Sequence, residues 1–472
     1  MGVSELFQDG KKPNLLFIIT DQERSLQHWP TSFTLDNLPA MTRLQKHGLE
    51  FTQYFTNSCM CSPSRATLLT SQFPVQTGVT STGSPEPRVH LPKDLENLAT
   101  VLNKVGYHCE WHGKWHLGGG GPSDYGFKGW RPPDAGNYLS LNDTLGGGTP
   151  DNDGRYLTEL CNFLDNPPSQ PFCLVASLVN PHDVYVAQHD LDPALGYTQQ
   201  DFSRVQVPLP DNYLEDPDQN NKPRAHTQMS LPYIPFANAP QDYVNFYAYL
   251  HTVVDAQIGQ LLDRLDHHNL INKTLIFRTS DHGEQALSHS LVEKFYNAYE
   301  ESIHVPLIVS NPIAFPHAQT TDALACHLDL IPTLSHLLGV DKEFDDCFYG
   351  KDLTTILDNP DDSVQTSIHF TYDDIPCRGS PSIVRCLRNA RYKYAVYFTP
   401  NGDDADWELY DLVEDPKEDH NLAGQSSFAD RQQGLDRELQ QTMRDMKTLP
   451  AFAWPPKATE FSRGAPPFDK QI

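Results

Sequence analysis

This chain is expected to fold as an α/β protein, with a large mixed, mostly parallel sheet sandwiched by helices and a smaller carboxyl-terminal α+β domain. Three observations point there. Continuous apolar runs of strand length recur at residues 15–20, 172–179, 274–280 and 305–309. Stretches with apolar residues at three-and-four spacing occur at residues 38–47, 97–105, 243–265 and 328–338. After about Gly339 the pattern gives way to short β-rich pieces. The expected division is residues 1–340 for the large α/β domain and 341–472 for the smaller α+β domain with its tail, which suits a chain of 472 residues.

In chain order, Pro13-Asn14 opens the first run, Leu15-Leu16-Phe17-Ile18-Ile19-Thr20. It is apolar on both faces of a strand and reads as buried and parallel. It ends in Asp21-Gln22, the second run in Asn180-Pro181-His182-Asp183, and the third in Asp281-His282-Gly283-Glu284. Three strands thus deliver ligand-type residues to one edge, where open α/β sheets place their sites. Residues 192–240, rich in Pro, Asp and Asn, read as long surface excursions over that edge. Farther on, residues 367–372, 392–398 and 407–412 read as strands of the smaller domain. The Pro- and Phe-rich tail beyond Leu449 reads as a segment that wraps back over the body.

Composition excludes several classes. A formal net charge of −26 with no basic block excludes a nucleic-acid binder, whose phosphate affinity comes from clustered Lys and Arg. The same charge repels anions at long range, so any anion site must be a local concentration of positive charge inside a cleft. The first apolar run is too short for a signal peptide or a membrane span, so a cytoplasmic protein without membrane association is expected. Nine cysteines, odd in number and without paired zinc-type spacing, read mainly as buried thiols. Oligomeric state stays open.

Chemistry is expected around Cys59 and Cys61. Cys59, five residues before Arg65, has the spacing of thiol phosphatases, whose loop amides cradle a phosphate. Pro63 removes one such amide, and the acidic and histidine clusters would then have no task. Cys61-Ser62-Pro63-Ser64-Arg65 followed by Ala66-Thr67-Leu68-Leu69-Thr70-Ser71 instead puts a cysteine at the amino end of a helix. A buried structural thiol is the third reading.

The set Cys61, Pro63, Ser64 and Arg65 resembles the type I sulfatase signature, from a family within the alkaline phosphatase superfamily. Further similarity runs over residues 13–424. His112-Gly113-Lys114-Trp115-His116-Leu117-Gly118 is similar to the family's second signature, and Lys294 precedes a similar Tyr299-Glu300-Glu301-Ser302 segment. Arg391-Tyr392-Lys393-Tyr394 and Leu409-Tyr410-Asp411-Leu412 resemble its small second domain.

The resemblance implies an alkaline phosphatase-like fold and hydrolysis of sulfate monoesters of aryl, alkyl or sugar alcohols. It implies oxidation of Cys61 to formylglycine by a formylglycine-generating enzyme, a partner during maturation. The aldehyde hydrate would attack sulfur with one hydroxyl and release sulfate through the other. Asp21, Gln22, Asp281 and His282, with position 61, would hold one divalent metal. Arg65, Lys114 and Lys294 would hold the sulfate, His116 would bond the hydrate, and His182 would contact sulfate or the leaving oxygen. Two positions depart from many members, which carry Asp at 22 and Asn at 282. Calcium is the family's usual ion, and the lost charge and added nitrogen make manganese or magnesium more plausible here. A phosphonate monoester or phosphodiester hydrolase of the same superfamily is the rival enzyme, in which uncharged hydroxyl residues typically replace Lys114 and His116. An inactive binding relative is the other rival, opposed by intact Cys61, Arg65, Lys114, His116 and Lys294.

Overall fold

The computed structural model describes residues 2–25, 28–82, 90–132, 134, 152–188, 197, 200–230, 239–344, 346–374, 377 and 379–467. Of the excursion expected at 192–240, residues 192–196, 198–199 and 231–238 fall outside these residues. The strands in chain order are β1 (Asn14–Asp21), β2 (Gly48–Phe51), β3 (Tyr54–Phe55), β4 (His108–Gly113), β5 (Phe172–Pro181), β6 (Thr274–Ser280), β7 (Leu307–Ser310), β8 (Gln319–Thr321), β9 (Ala325–Cys326), β10 (Ser367–Tyr372), β11 (Ile383–Asn389), β12 (Tyr392–Phe398) and β13 (Ala405–Asp411).

The main sheet has seven strands in the order β4-β5-β1-β6-β7-β2-β8. β4, β5, β1 and β6 pair in parallel, whereas β7 runs against both β6 and β2. The expected run at 305–309 is therefore the strand that makes the sheet mixed. Alternation along β1 explains the two-sided burial. Leu15, Phe17 and Ile19 join one core cluster with the helices Leu98–Lys104 and Leu330–Leu337, while Leu16 and Ile18 join another with the helices Asn152–Asp165 and Pro240–His267. Phe17 stacks on Phe277 of β6 at 4.8 Å and 8°, and burying one such ring contributes about 1.5–3 kcal/mol. Helices on both faces are what a parallel sheet requires.

β10 to β13 form a four-stranded antiparallel sheet in sequence order. The helix Ala429–Asp445 packs beneath it through Leu435, Leu439 and Met443. The tail crosses this unit: Trp407 N–H donates to Arg463 O at 2.9 Å, and Arg463 N–H to Asp406 Oδ1 at 2.8 Å. Buried charge joins the small sheet to the large one. Lys393 Nζ of β12 donates to Ala298 O at 2.7 Å and lies 3.0 Å from Glu300 and 2.7 Å from Glu418. Among the described residues no helix is long and apolar enough to cross a membrane.

Candidate active site

Strand register assembles the site. Thr20 of β1 pairs with Ser280 of β6, so the next residues, Asp21 and Asp281, emerge side by side. On the other flank Ile19 pairs with Ser177, and after an irregularity Asp21 pairs with Pro181, which brings His182 to the same edge. Gly113 of β4 also pairs with Ser177 and hands Lys114 to that edge. Only glycine fits there: at φ 120°, a Cβ on Gly113 would lie 1.9 Å from Ser177 O. Cys61 opens the helix Cys61–Thr70, all ten residues of which are buried, and so sits at its amino end.

These elements bring Asp21, Cys61, Asp281 and His282 together, all buried, with one ligand atom from each within 4.8 Å of the others. His282 Nε2 lies 3.2 Å from Cys61 Sγ and 3.7 Å from each of Asp21 Oδ1 and Asp281 Oδ1. Two carboxylates, an imidazole and position 61 form a donor set that fits a divalent cation.

Arg65 is the strut of this group. Its Nε donates to Asp281 Oδ2 at 2.9 Å and its Nη2 to Asp21 Oδ2 at 3.0 Å. Its Nη1 donates to Ser177 Oγ at 2.8 Å and Lys114 O at 3.1 Å. Lys114 Nζ lies 2.7 Å from Asp21 Oδ2 with its side chain wholly buried. Burial opposes charge on Asp21, but Lys114 and Arg65 prevail and hold it well below the usual carboxylate range. Burial likewise opposes charge on Lys114, yet Asp21 and Cys61 raise the ammonium above its ordinary value. Burial disfavours the charged ring of His282, and Asp281 with Cys61 overrides this, pushing it up to about 9.

Gln22 and Lys294 meet next to this group. Gln22 Oε1 accepts from Lys294 Nζ at 2.6 Å, while its Nε2 donates to Glu284 and Glu293 at 2.5 and 3.2 Å. Lys294 Nζ also donates to Glu293 Oε2 at 2.8 Å. His116 has φ 57°. It is fixed by Asp134, whose carboxylate accepts from the N–H groups of Trp115 and His116 at 2.8 and 2.7 Å, and by Ser62 Oγ, which donates to His116 O at 2.6 Å. Nδ1 of His116 and Nδ1 of His182 are buried without a partner among the described residues. Burial, then Lys114, holds both imidazoles well below their ordinary value.

Cys59 stands apart from this chemistry. Its thiol packs among Phe55, Met60, Phe73, Ala298 and Ile303 and donates to Ser302 O at 3.3 Å. Burial pushes it up, far from the depressed value a nucleophilic thiol needs. The side chains that sequence reading missed are Asp134, Ser177 and Glu293, together with Glu284, to which no role was given. None sits in a signature, and each supports another residue. His289 pairs with Glu215 at 2.6 Å and stacks on Tyr299 at 3.8 Å, outside the carboxylate group.

The sulfatase family model matches residues 13–340, and a model described as N-sulphoglucosamine sulphohydrolase, C-terminal, matches residues 288–445. This chain belongs to the sulfatase family. As such it is a sulfuric ester hydrolase. The sulfatase is 24% identical to an N-acetylglucosamine-6-O-sulfatase of Bacteroides thetaiotaomicron, over 93% of this chain and 88% of that protein. It is 26% identical to a choline-sulfatase of Rhizobium meliloti, over 87% of this chain and 82% of that protein. A solved structure of a protein with its substrate D-glucosamine-2-N,6-O-disulfate has the same fold, with TM-score 0.77 at 22% identity over 93% of this chain and 98% of that one. The fold is also that of a phosphonate monoester hydrolase of Agrobacterium radiobacter, with TM-score 0.68 at 19% identity over 92% of this chain and 96% of that one.

Proposed function

We propose that this sulfatase cleaves sulfate monoesters with position 61, converted from Cys61 to formylglycine, as its nucleophile. The observation that carries the reading is the buried group of Asp21, Cys61, Asp281 and His282 within 4.8 Å, beside the ammonium of Lys114. As an aldehyde hydrate, position 61 would attack sulfur with one hydroxyl, breaking the bond from sulfur to the alcohol oxygen so that the alcohol leaves; a base then takes the proton of the second hydroxyl, which re-forms the aldehyde and expels sulfate. The thiol of Cys61 marks where those hydroxyls would stand.

Asp21, Asp281 and His282 would hold the divalent cation beside position 61, while Gln22, expected as a further ligand, has its carbonyl committed to Lys294 Nζ. When bound, the cation supplies positive charge to the sulfate oxygens and to position 61. Calcium is the family's usual choice, and the His282 nitrogen favours manganese over magnesium as the alternative, since magnesium takes oxygen ligands. Arg65 fixes the two acidic ligands relative to each other. Lys114 and Lys294 offer ammonium donors to the sulfate oxygens as charge develops. His116 and His182 each have a buried Nδ1 with no partner among the described residues, which is what a group waiting to bond the hydrate or the ester oxygen looks like. His182 is the one assigned to the leaving oxygen.

The named relatives are an N-acetylglucosamine-6-O-sulfatase and a choline-sulfatase, which supports a sugar or small alkyl sulfate as the ester. The test is a substrate panel with protein co-expressed with a formylglycine-generating enzyme. It should contain an aryl sulfate, 6-O- and 2-O-sulfated sugars, choline sulfate and an aryl phosphonate monoester. Sulfate turnover well above phosphonate turnover is expected. Turnover of the phosphonate with none of the sulfates would overturn the reading in favour of a phosphonate monoester hydrolase.

A further inference from the structure

Gln22 is held by a network that reaches beyond the residues assigned so far. Its side-chain amide lies between two buried carboxylates and one buried ammonium. Only one amide orientation satisfies all three, because the flipped amide would face its oxygen to Glu284 and Glu293 and its NH2 to Lys294. Glu284 cannot move to adapt. Its Oε1 accepts from Tyr243 Oη at 3.0 Å, Ala286 N at 2.9 Å and Glu293 N at 2.8 Å, which ties it to the helix Pro240–His267 and to the loop behind β6. Glu293 spans the rest, with Oε2 3.2 Å from Gln22 Nε2 and 2.8 Å from Lys294 Nζ. All four side chains are under 5% exposed.

We propose that Glu284 and Glu293 are a pair of positioning residues, which orient the Gln22 amide and, through Glu293, dock the Lys294 ammonium at the edge of the acidic group. The pair also accounts for the amide at position 22. A carboxylate there would be a third negative group in contact with the other two, with Lys294 as the facing cation, and repulsion of that kind in a dry site is severe. An amide instead supplies a donor shared by both carboxylates and the acceptor that Lys294 uses. The proposal rests on the reading that Gln22 and Lys294 serve sulfate-ester hydrolysis, and its test is arranged so that the two can fail separately.

The test is a double-mutant cycle on the full chain with Glu293→Gln, Gln22→Glu and the two combined, an exchange of amide and carboxylate between the positions. Two readouts are taken: KM and kcat on an aryl sulfate, and, independently of activity, the melting temperature and calcium affinity of each protein. Glu293→Gln is expected to lower kcat/KM by about 10–100-fold, as loss of an outer partner does at a metal site, with most of the change in KM. Gln22→Glu alone is expected to lower both melting temperature and kcat/KM. The exchange should recover at least about tenfold of the kcat/KM lost by Gln22→Glu, with a melting temperature above that single variant. Should Gln22→Glu fail to fold, recovery of a folded protein by the exchange supports the pair, and failure of both overturns it. Strictly additive losses, or Glu293→Gln within about twofold of wild type in kcat/KM and calcium affinity, would also overturn it. A wild-type protein inert on sulfate esters would sink the functional reading, and the melting and calcium-affinity cycles would still judge the pair.

Discussion

Arg65→Lys is the most informative single change in the acidic group. It keeps the positive charge and removes the planar fork that links Asp21 to Asp281. A lysine amine can reach one of these carboxylates and leaves the other short of a charge-assisted hydrogen bond, worth about 1.5–3 kcal/mol. The bonds to Ser177 Oγ and Lys114 O are lost as well, but Ser177 Oγ still donates to Lys114 O at 2.8 Å, so no acceptor is orphaned. Those two add about 1 kcal/mol or less. The expected cost in metal-free protein is about 2–4 kcal/mol, which at roughly 2 °C per kcal/mol for a large domain is a fall of about 4–8 °C in melting temperature. A cation between the carboxylates compensates the one left without its charge-assisted hydrogen bond, and occupancy at a hundredfold excess over Kd stabilises by about 2.7 kcal/mol. Calcium should therefore raise the melting temperature of Arg65→Lys more than that of wild type. Differential scanning fluorimetry after chelation and after calcium addition measures both. A metal-free variant within about 1 °C of wild type, or an equal calcium shift in the two proteins, would show that Arg65 does not hold the carboxylates together.

Three other outcomes are expected. Cys59→Ala should keep kcat/KM on an aryl sulfate within about threefold, since its thiol is core packing, and a loss of a hundredfold or more would restore the thiol-phosphatase reading. Lys393→Met leaves Glu300 and Glu418 sharing a buried site without their common cation. That should cost about 3–5 kcal/mol by denaturant unfolding, and an unchanged midpoint would show that the junction between the sheets is not stabilised by this ion pair. His282→Asn trades a nitrogen ligand for a carbonyl oxygen and should shift the metal that best restores chelated enzyme toward calcium over manganese; an unchanged ranking would remove His282 from the ligand set.

The sequence made the frame of this site legible where physics acts locally. A run that is apolar on both faces had to be a buried strand, and Asp21 and Asp281 had to emerge from the ends of two such runs. That the runs are neighbours, with Thr20 opposite Ser280, depends on register, which no local pattern encodes. β2, of four residues, is too short to display a period. β11 hides its period because Arg385 and Arg388 are buried against Asp373 and Glu300, which reverses the usual link between charge and exposure. Supporting residues were the least legible. Asp134 lies 18 positions from His116, and Glu284 and Glu293 meet at Gln22 from opposite ends of a loop. Each acts by holding another side chain, so its chemistry appears only once the chain is folded. Arg65 was expected to hold sulfate, and four of its donor contacts are instead committed within the protein.

The state of position 61 in active enzyme decides whether the chemistry proposed here is right. Mass spectrometry of the tryptic peptide that contains Cys61 should be run on protein made with and without a formylglycine-generating enzyme, alongside turnover of an aryl sulfate by the same samples. The aldehyde form, in a fraction that rises in proportion to kcat, is the expected finding, with Cys61→Ala inactive. A peptide that keeps its thiol in protein hydrolysing sulfate esters at full rate would contradict it.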